Sequence, residues 1–174
     1  MLYIKIIGCI LIVCSCSGMG MHFSKELRNR ISDLREIKKL IYLLKGDIRY
    51  AHTPLPEAVQ ALSIRHEGKF KNFLTVIARR LQELGGVSFY TIWKEAVEKE
   101  LNNTSLTNKD LKALSVLGES LGYLDKDMQI NTLELYIEQI EAEIHELSRS
   151  VKEKSYMYNA LGVMGGIFII IIMV

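Results

Sequence analysis

The sequence predicts an all-α protein: an antiparallel helical bundle of about six helices, with a membrane-spanning helix at each end. Three observations carry that reading. Only 2 prolines occur in 174 residues, both in the tripeptide Pro54-Leu55-Pro56, so long stretches carry no helix breaker. Apolar residues recur three and four apart through most of the chain, the period of one helix face. The two ends are uncharged over about the length that spans a bilayer.

The first segment, residues 2–23, is apolar and carries no charge from Ile6 to Met21. Lys5 can snorkel to the interface, and the segment reads as a transmembrane anchor. Two other readings stand beside it. A cleaved signal peptide has a similar basic and apolar start. Val13-Cys14-Ser15-Cys16 resembles a loose lipobox with Cys16 as the lipidated residue. The flank that follows is basic: Lys25, Arg28, Arg30, Arg35, Lys38, Lys39, Lys45 and Arg49 are opposed only by Glu26, Asp33, Glu36 and Asp47. By the positive-inside rule that flank stays cytoplasmic. Residues 155–174 form the second uncharged segment, with Tyr156 and Tyr158 at the expected aromatic belt and Arg149, Lys152 and Lys154 before it. Residues 24–154 are therefore expected to be a cytoplasmic helical bundle.

The first helix continues from the anchor to about Ala51. Leu27, Ile31, Leu34, Ile37, Ile41, Leu44 and Ile48 form its stripe. Thr53 suits an N-cap and Pro54 a first helical position, which opens a second helix with Leu55, Ala58, Val59 and Leu62 inward. Arg65-His66-Glu67-Gly68 closes it. The third helix carries Phe70, Phe73, Leu74, Ile77, Leu81 and Leu84 and stops at Gly85-Gly86. Ser88 caps the fourth, with Phe89, Ile92, Trp93, Ala96 and Leu101 inward. Thr107 and Asp110 form a capping box for the fifth, with Asp in the usual Glu or Gln place. Leu111, Leu114, Leu117 and Leu121 face its core, and Gly122 is expected to end it.

The sixth helix begins near Asp125 and has the clearest period. Ile130, Leu133, Ile137, Ile140, Ile144, Leu147 and Val151 form a heptad seam that runs toward the second span. Its flanks are acidic, from Asp125 to Glu146, so it complements the basic first helix. The two helices are expected to pair antiparallel, each rising roughly 40 Å from the membrane at about 1.5 Å per residue. Exposed ion pairs are individually weak, so these charges set orientation more than stability.

Several function classes fall away. A net charge of +2 does not argue for nucleic acid. All 3 cysteines, Cys9, Cys14 and Cys16, lie in the first segment, so the rest of the chain has neither a disulfide framework nor a cysteine metal site. His22, His52, His66 and His145 fall in no ligand motif. Glu141 and His145 are four apart rather than the three of a di-iron site. No phosphate loop or nucleophile elbow occurs. The reading is non-enzymatic, with no cofactor and no metal. Lys69, Lys71, Arg79 and Arg80 cluster on the third helix and read as a solvated face, or else as a contact for an acidic partner or lipid headgroup. Gly162 and Gly166 in the second span, and Gly18 and Gly20 with Cys14 and Cys16 in the first, are small residues four apart that let spanning helices approach.

Some of these residues also carry a family resemblance. Leu44-Lys45-Gly46-Asp47-Ile48-Arg49-Tyr50 precedes Thr53-Pro54-Leu55-Pro56-Glu57-Ala58. Leu117-Gly118-Glu119-Ser120-Leu121-Gly122 is followed by Asp125 and Gln129, and Tyr158-Asn159-Ala160-Leu161-Gly162 precedes the tail. In these the chain resembles the stage III sporulation protein AB family of endospore-forming Firmicutes, over essentially its whole length. The cysteine-rich first segment departs from that pattern. The resemblance implies a soluble domain similar to the helical domain of the type II secretion F platform protein. It further implies a mother-cell membrane component of the channel between mother cell and forespore. The implied partners are a cytoplasmic secretion-type ATPase, other membrane subunits and the bilayer. The expected docking end of the bundle is the tip that holds Thr53, Pro54, Leu55, Gly122 and Asp125. The competing reading is a membrane lipoprotein, or a tethered coiled-coil sensor or adaptor, with its domain outside the cytoplasm.

Overall fold

The computed structural model describes the backbone of residues 2–83 and 86–173, and the side chains of residues 25–83, 86–151 and 153. Among the described residues there are six helices and no strand: α1 (Leu2–Tyr50), α2 (Leu55–Arg65), α3 (Lys71–Gln82), α4 (Phe89–Glu100), α5 (Asn108–Tyr123) and α6 (Lys126–Met173). The chain divides into two compact units, Met1–Ile31 with His145–Val174, and Ser32–Ile144.

The first unit consists of the start of α1 and the end of α6. Its described side chains are mostly exposed and polar, and Arg149 pairs with Glu153 one turn on at 2.8 Å. Among the described residues no helix is long and apolar enough to cross a membrane. The segments 2–23 and 155–174 expected to do so lie outside the residues whose side chains are described, as do Gly18, Gly20, Gly162 and Gly166.

The Ser32–Ile144 unit is a helical bundle. The expected stripe of α1 is buried from Ile31 to Ile48, and that of α6 from Ile130 to Ile140. Two ion pairs fix how these helices lie: Lys38–Glu141 at 3.1 Å and Lys45–Glu134 at 3.3 Å. Residues 38 and 45 are one heptad apart, as are 134 and 141, so the helices run antiparallel with those positions opposite each other. α2 packs on α3, α3 on α4, and α4 on α5. Trp93 of α4 is the centre of the core at 1% exposure. Phe73 meets it edge-on at 5.1 Å and Phe89 lies tilted at 5.6 Å. A small all-apolar cavity of about 20 Å³ remains beside it, between Leu44, Val59, Phe70 and Leu114. Its lining offers a water no polar partner, so it stays dry.

Two helices are capped by the expected residues, Ser88 and the Thr107–Asp110 pair, and α6 by Asp125, for which only the start of the helix was expected. The Ser88 Oγ accepts the Thr91 N–H at 3.2 Å. Asp125 Oδ1 accepts the Met128 N–H at 2.9 Å. Thr107 and Asp110 form a full capping box: the Asp110 N–H reaches Thr107 Oγ1 at 3.3 Å and the Thr107 N–H reaches Asp110 Oδ2 at 2.8 Å. Thr107→Ala removes half of this box. Its expected cost is about 1 kcal/mol, readable as a small drop in the midpoint of chemical denaturation.

Two boundaries differ from expectation. Thr53 does not cap α2. Its N–H turns back to the Asp47 carbonyl of α1 at 3.2 Å, which satisfies one of the acceptors left over at that helix end. Pro54 is extended (ψ 149°) and takes the cap position instead, so Pro56 sits in the first turn, where a missing N–H costs nothing. Gly122 does not end α5, which continues to Tyr123. Its α-carbon lies against the first turn of α4, where a methyl group would stand 3.6 Å from the Tyr90 nitrogen. That is ordinary contact distance at an exposed position, so the packing there does not require a glycine.

Candidate functional site

The expected docking tip is where the α1–α2 and α5–α6 connections meet. His52 holds a left-handed backbone (φ 53°) at the end of α1, a conformation that costs a non-glycine residue about 1 kcal/mol. Its Nδ1 faces Lys126 Nζ at the start of α6. Asp47 and Arg65 form an ion pair that ties the last turn of α1 to the last turn of α2. Gln129 Nε2 donates to the Leu121 carbonyl at 3.0 Å, which ties α6 to α5. The two connections are thus pinned side by side.

The residues expected at this tip have different fates. Pro54 and Asp125 are exposed, although the Asp125 carboxylate is occupied as a cap. Thr53 is half-buried and Leu55 is 7% exposed, so the Leu55 side chain belongs to the core. Gly122 presents backbone only. The prominent side chains are ones that the sequence pattern did not single out: Tyr50 at 77% exposure, Tyr123 at 75% and Met128 at 53%. Their signal was an apolar residue outside the buried stripe, next to a helix end. Such residues fit a protein contact, because tyrosine offers large apolar area at low entropic cost and methionine adapts its shape to a partner.

A second polar cluster ties α1 to two loops. The Asp33 carboxylate is 1% exposed. It accepts Lys69 Nζ at 2.7 Å and the Ser105 N–H at 2.7 Å. One turn on, Glu36 Oε1 meets His66 Nε2 at 3.0 Å. Gly68 turns between His66 and Lys69 with φ 144°, a backbone that side chains avoid, and a methyl group there would collide with the Glu36 carboxylate. No buried side-chain polar atom among the described residues lacks a partner. The cluster ties α1 to the two loops.

The basic cluster on α3 is largely neutralised. Arg80 pairs with Glu95 at 2.9 Å, Arg79 with Glu83 at 3.8 Å, and Lys69 with Asp33. The Arg80 guanidinium, hydrogen-bonded to Glu95, holds that carboxyl below the usual range, with Lys99 adding to the effect. Burial, with the nearby Asp110 charge, pushes the Tyr136 hydroxyl well above the usual tyrosine range. Tyr136 is 7% exposed and serves as part of the α6 seam. Among the described residues no group of three or more His, Cys, Asp or Glu is placed to hold a metal ion.

The described geometry is that of a helical bundle whose α1–α2 and α5–α6 connections meet at one end. The sequence profile of stage III sporulation protein AB matches residues 5–174. Stage III sporulation protein AB of Bacillus subtilis (strain 168) is 24% identical over 170 residues, which covers 98% of this chain and 99% of that protein. A solved structure of stage III sporulation protein AB superposes with a TM-score of 0.63 at 23% identity, covering 71% of this chain and 97% of that one. The second likeness concerns the fold alone.

Proposed function

The chain belongs to the stage III sporulation protein AB family, and on that premise we propose that it is a non-enzymatic membrane platform of the complex that connects mother cell and forespore. In this reading residues 2–23 and 155–174 are membrane spans and residues 24–154 form a domain on the cytoplasmic side. It sits in the mother-cell membrane that faces the forespore. The α1–α2 and α5–α6 end docks a cytoplasmic secretion-type ATPase, and other membrane subunits complete the channel.

One observation above all supports a docking role. Tyr50, Tyr123 and Met128 stand exposed at an end whose two connections are pinned by Lys126, Gln129 and Asp47. A rigid end with apolar anchors suits partner recognition, since few buried aromatic residues carry most of the energy of an interface. The basic flank of the first segment supports the cytoplasmic side.

The test is a binding measurement with the membrane-reconstituted chain and the ATPase of its own complex. Tyr50→Asp combined with Tyr123→Asp is expected to weaken binding by about tenfold or more, at roughly 1–2 kcal/mol per lost anchor. Both side chains are mostly in solvent, so the helicity and the denaturation midpoint should hold. Unchanged affinity would remove the ATPase from this end.

A further inference from the structure

The face of α1 turned away from the core is basic and carries an exposed tyrosine. Arg35, Tyr42 and Arg49 recur at heptad spacing along it, with Lys39 and Gly46 on the adjoining row. Tyr42 is 60% exposed. Arg35, Lys39 and Arg49 have no ion-pair partner among the described residues, although other α1 lysines found theirs on α6. Gly46 is the second observation. It lies inside a helix, where glycine is less stable than alanine. Yet nothing stands within 4 Å of where a methyl group would point. Nothing within the described fold therefore requires a glycine there, whereas another helix laid across that face would.

The α6 helix carries the matching face. Met128, Leu135 and Ala142 recur at heptad spacing on its exposed side, with Glu138 beside them. Leu135 is 56% exposed. The ion pairs Lys38–Glu141 and Lys45–Glu134 mark the seam between the two outward stripes. They also fix the heights: position 42 and position 135 lie within one turn of each other along the bundle. A basic and aromatic stripe thus runs beside an aliphatic one flanked by the Glu138 carboxylate, at the same height and on adjoining helices. We propose that a second copy of this chain docks here, with its α6 stripe across Gly46 of α1 and its own α1 across α6 of the first copy. The twofold axis runs along the bundles, so both copies point the same way, and the contact closes on itself. This pairing uses the sides of the bundle and shares only Met128 with the end proposed to meet the ATPase, so the test is placed at Tyr42, Gly46 and Leu135, away from that end.

The experiment uses the full chain in membranes, with Cys9, Cys14 and Cys16 replaced by serine. Differently tagged copies carrying Tyr42→Cys or Leu135→Cys are co-expressed and oxidised. The mixed pair is expected to give at least fivefold more disulfide-linked dimer than either like pair. Adding Gly46→Leu to both copies should cut that yield at least fivefold, while the denaturation midpoint of the chain holds or rises, since the site is open. Mixed yield no greater than like-pair yield overturns the proposal, and so does a mixed yield that Gly46→Leu leaves unchanged. A photoreactive residue at position 42 that captures a different protein and no second copy also overturns it.

Discussion

Gly118→Ala is expected to destabilise the bundle by about 3 kcal/mol, at the upper end of what overpacking costs. The reason is the Trp93 indole, which lies flat on α5. A methyl group at position 118 would fall inside the ring, with Cδ1, Cγ and Nε1 as its nearest atoms. The ring cannot retreat easily. Phe73 and Phe89 hold its other sides, and its Nε1 donates to the Leu114 carbonyl at 2.8 Å. That carbonyl is one turn before Gly118, so the missing side chain is what opens it to the indole. Trp93→Ala removes the ring itself and should cost about 3–5 kcal/mol. In that background the sign at position 118 reverses: Gly118→Ala becomes neutral, or stabilising by up to about 1 kcal/mol through helix propensity. The coupling between the two sites is therefore about 3 kcal/mol or more. Chemical denaturation followed by far-ultraviolet circular dichroism reads all four chains. In the two that keep it, Trp93 is the one tryptophan of the sequence and reports on the core directly. Additive costs in the double variant would show that the close approach of α4 and α5 is not set by this glycine.

The same pair illustrates what a single sequence can disclose. Periodicity placed both Trp93 and Leu114 in the core, because each belongs to a helix stripe with a spacing fixed by the helix itself. Caps were legible for a similar reason. Ser88 and Thr107 bond within three residues, so their partners are visible in the string. Gly118 and Gly122 were another matter. Glycine is both a helix stop and a site of close approach, and only the neighbouring helix decides between the two. Here Gly118 lies buried under Trp93 and needs the space, whereas Gly122 is exposed and only at ordinary contact distance from the Phe89–Tyr90 turn. Thr53 failed for a related reason: its donor had a competing use in the preceding helix, which a local cap rule cannot see. The docking end was legible as a place, from the helix boundaries around Pro54 and Asp125. Its prominent side chains were not, because exposure of Tyr50 and Tyr123 depends on which turns fold over them.

Asp33 carries the other large expected effect. In the sequence it is one of four acids scattered through a basic helix. In the fold it is the least exposed charged residue among the described ones, at 0%. Its two oxygens hold Lys69, after α2, and the backbone N–H of Ser105, before α5. Hydrogen bonds to a charged group contribute about 1.5–3 kcal/mol each, and a buried donor left without an acceptor adds a penalty of similar size. Lys69 is half exposed and can return to water, so its share is small. The Ser105 N–H, held by a half-buried loop, has less recourse to solvent. Asp33→Ala should accordingly cost about 3 kcal/mol. Asp33→Asn should recover only part of that, because the amide oxygen can still accept from Ser105 while its NH2 group meets the Lys69 ammonium. Lys69→Met should cost clearly less than Asp33→Ala. Hydrogen exchange at the Ser105 amide separates the contributions: protection should fall in Asp33→Ala and persist in Lys69→Met. If Lys69→Met matched Asp33→Ala in both stability and exchange, the ion pair and not the backbone contact would be what holds the two loops to α1.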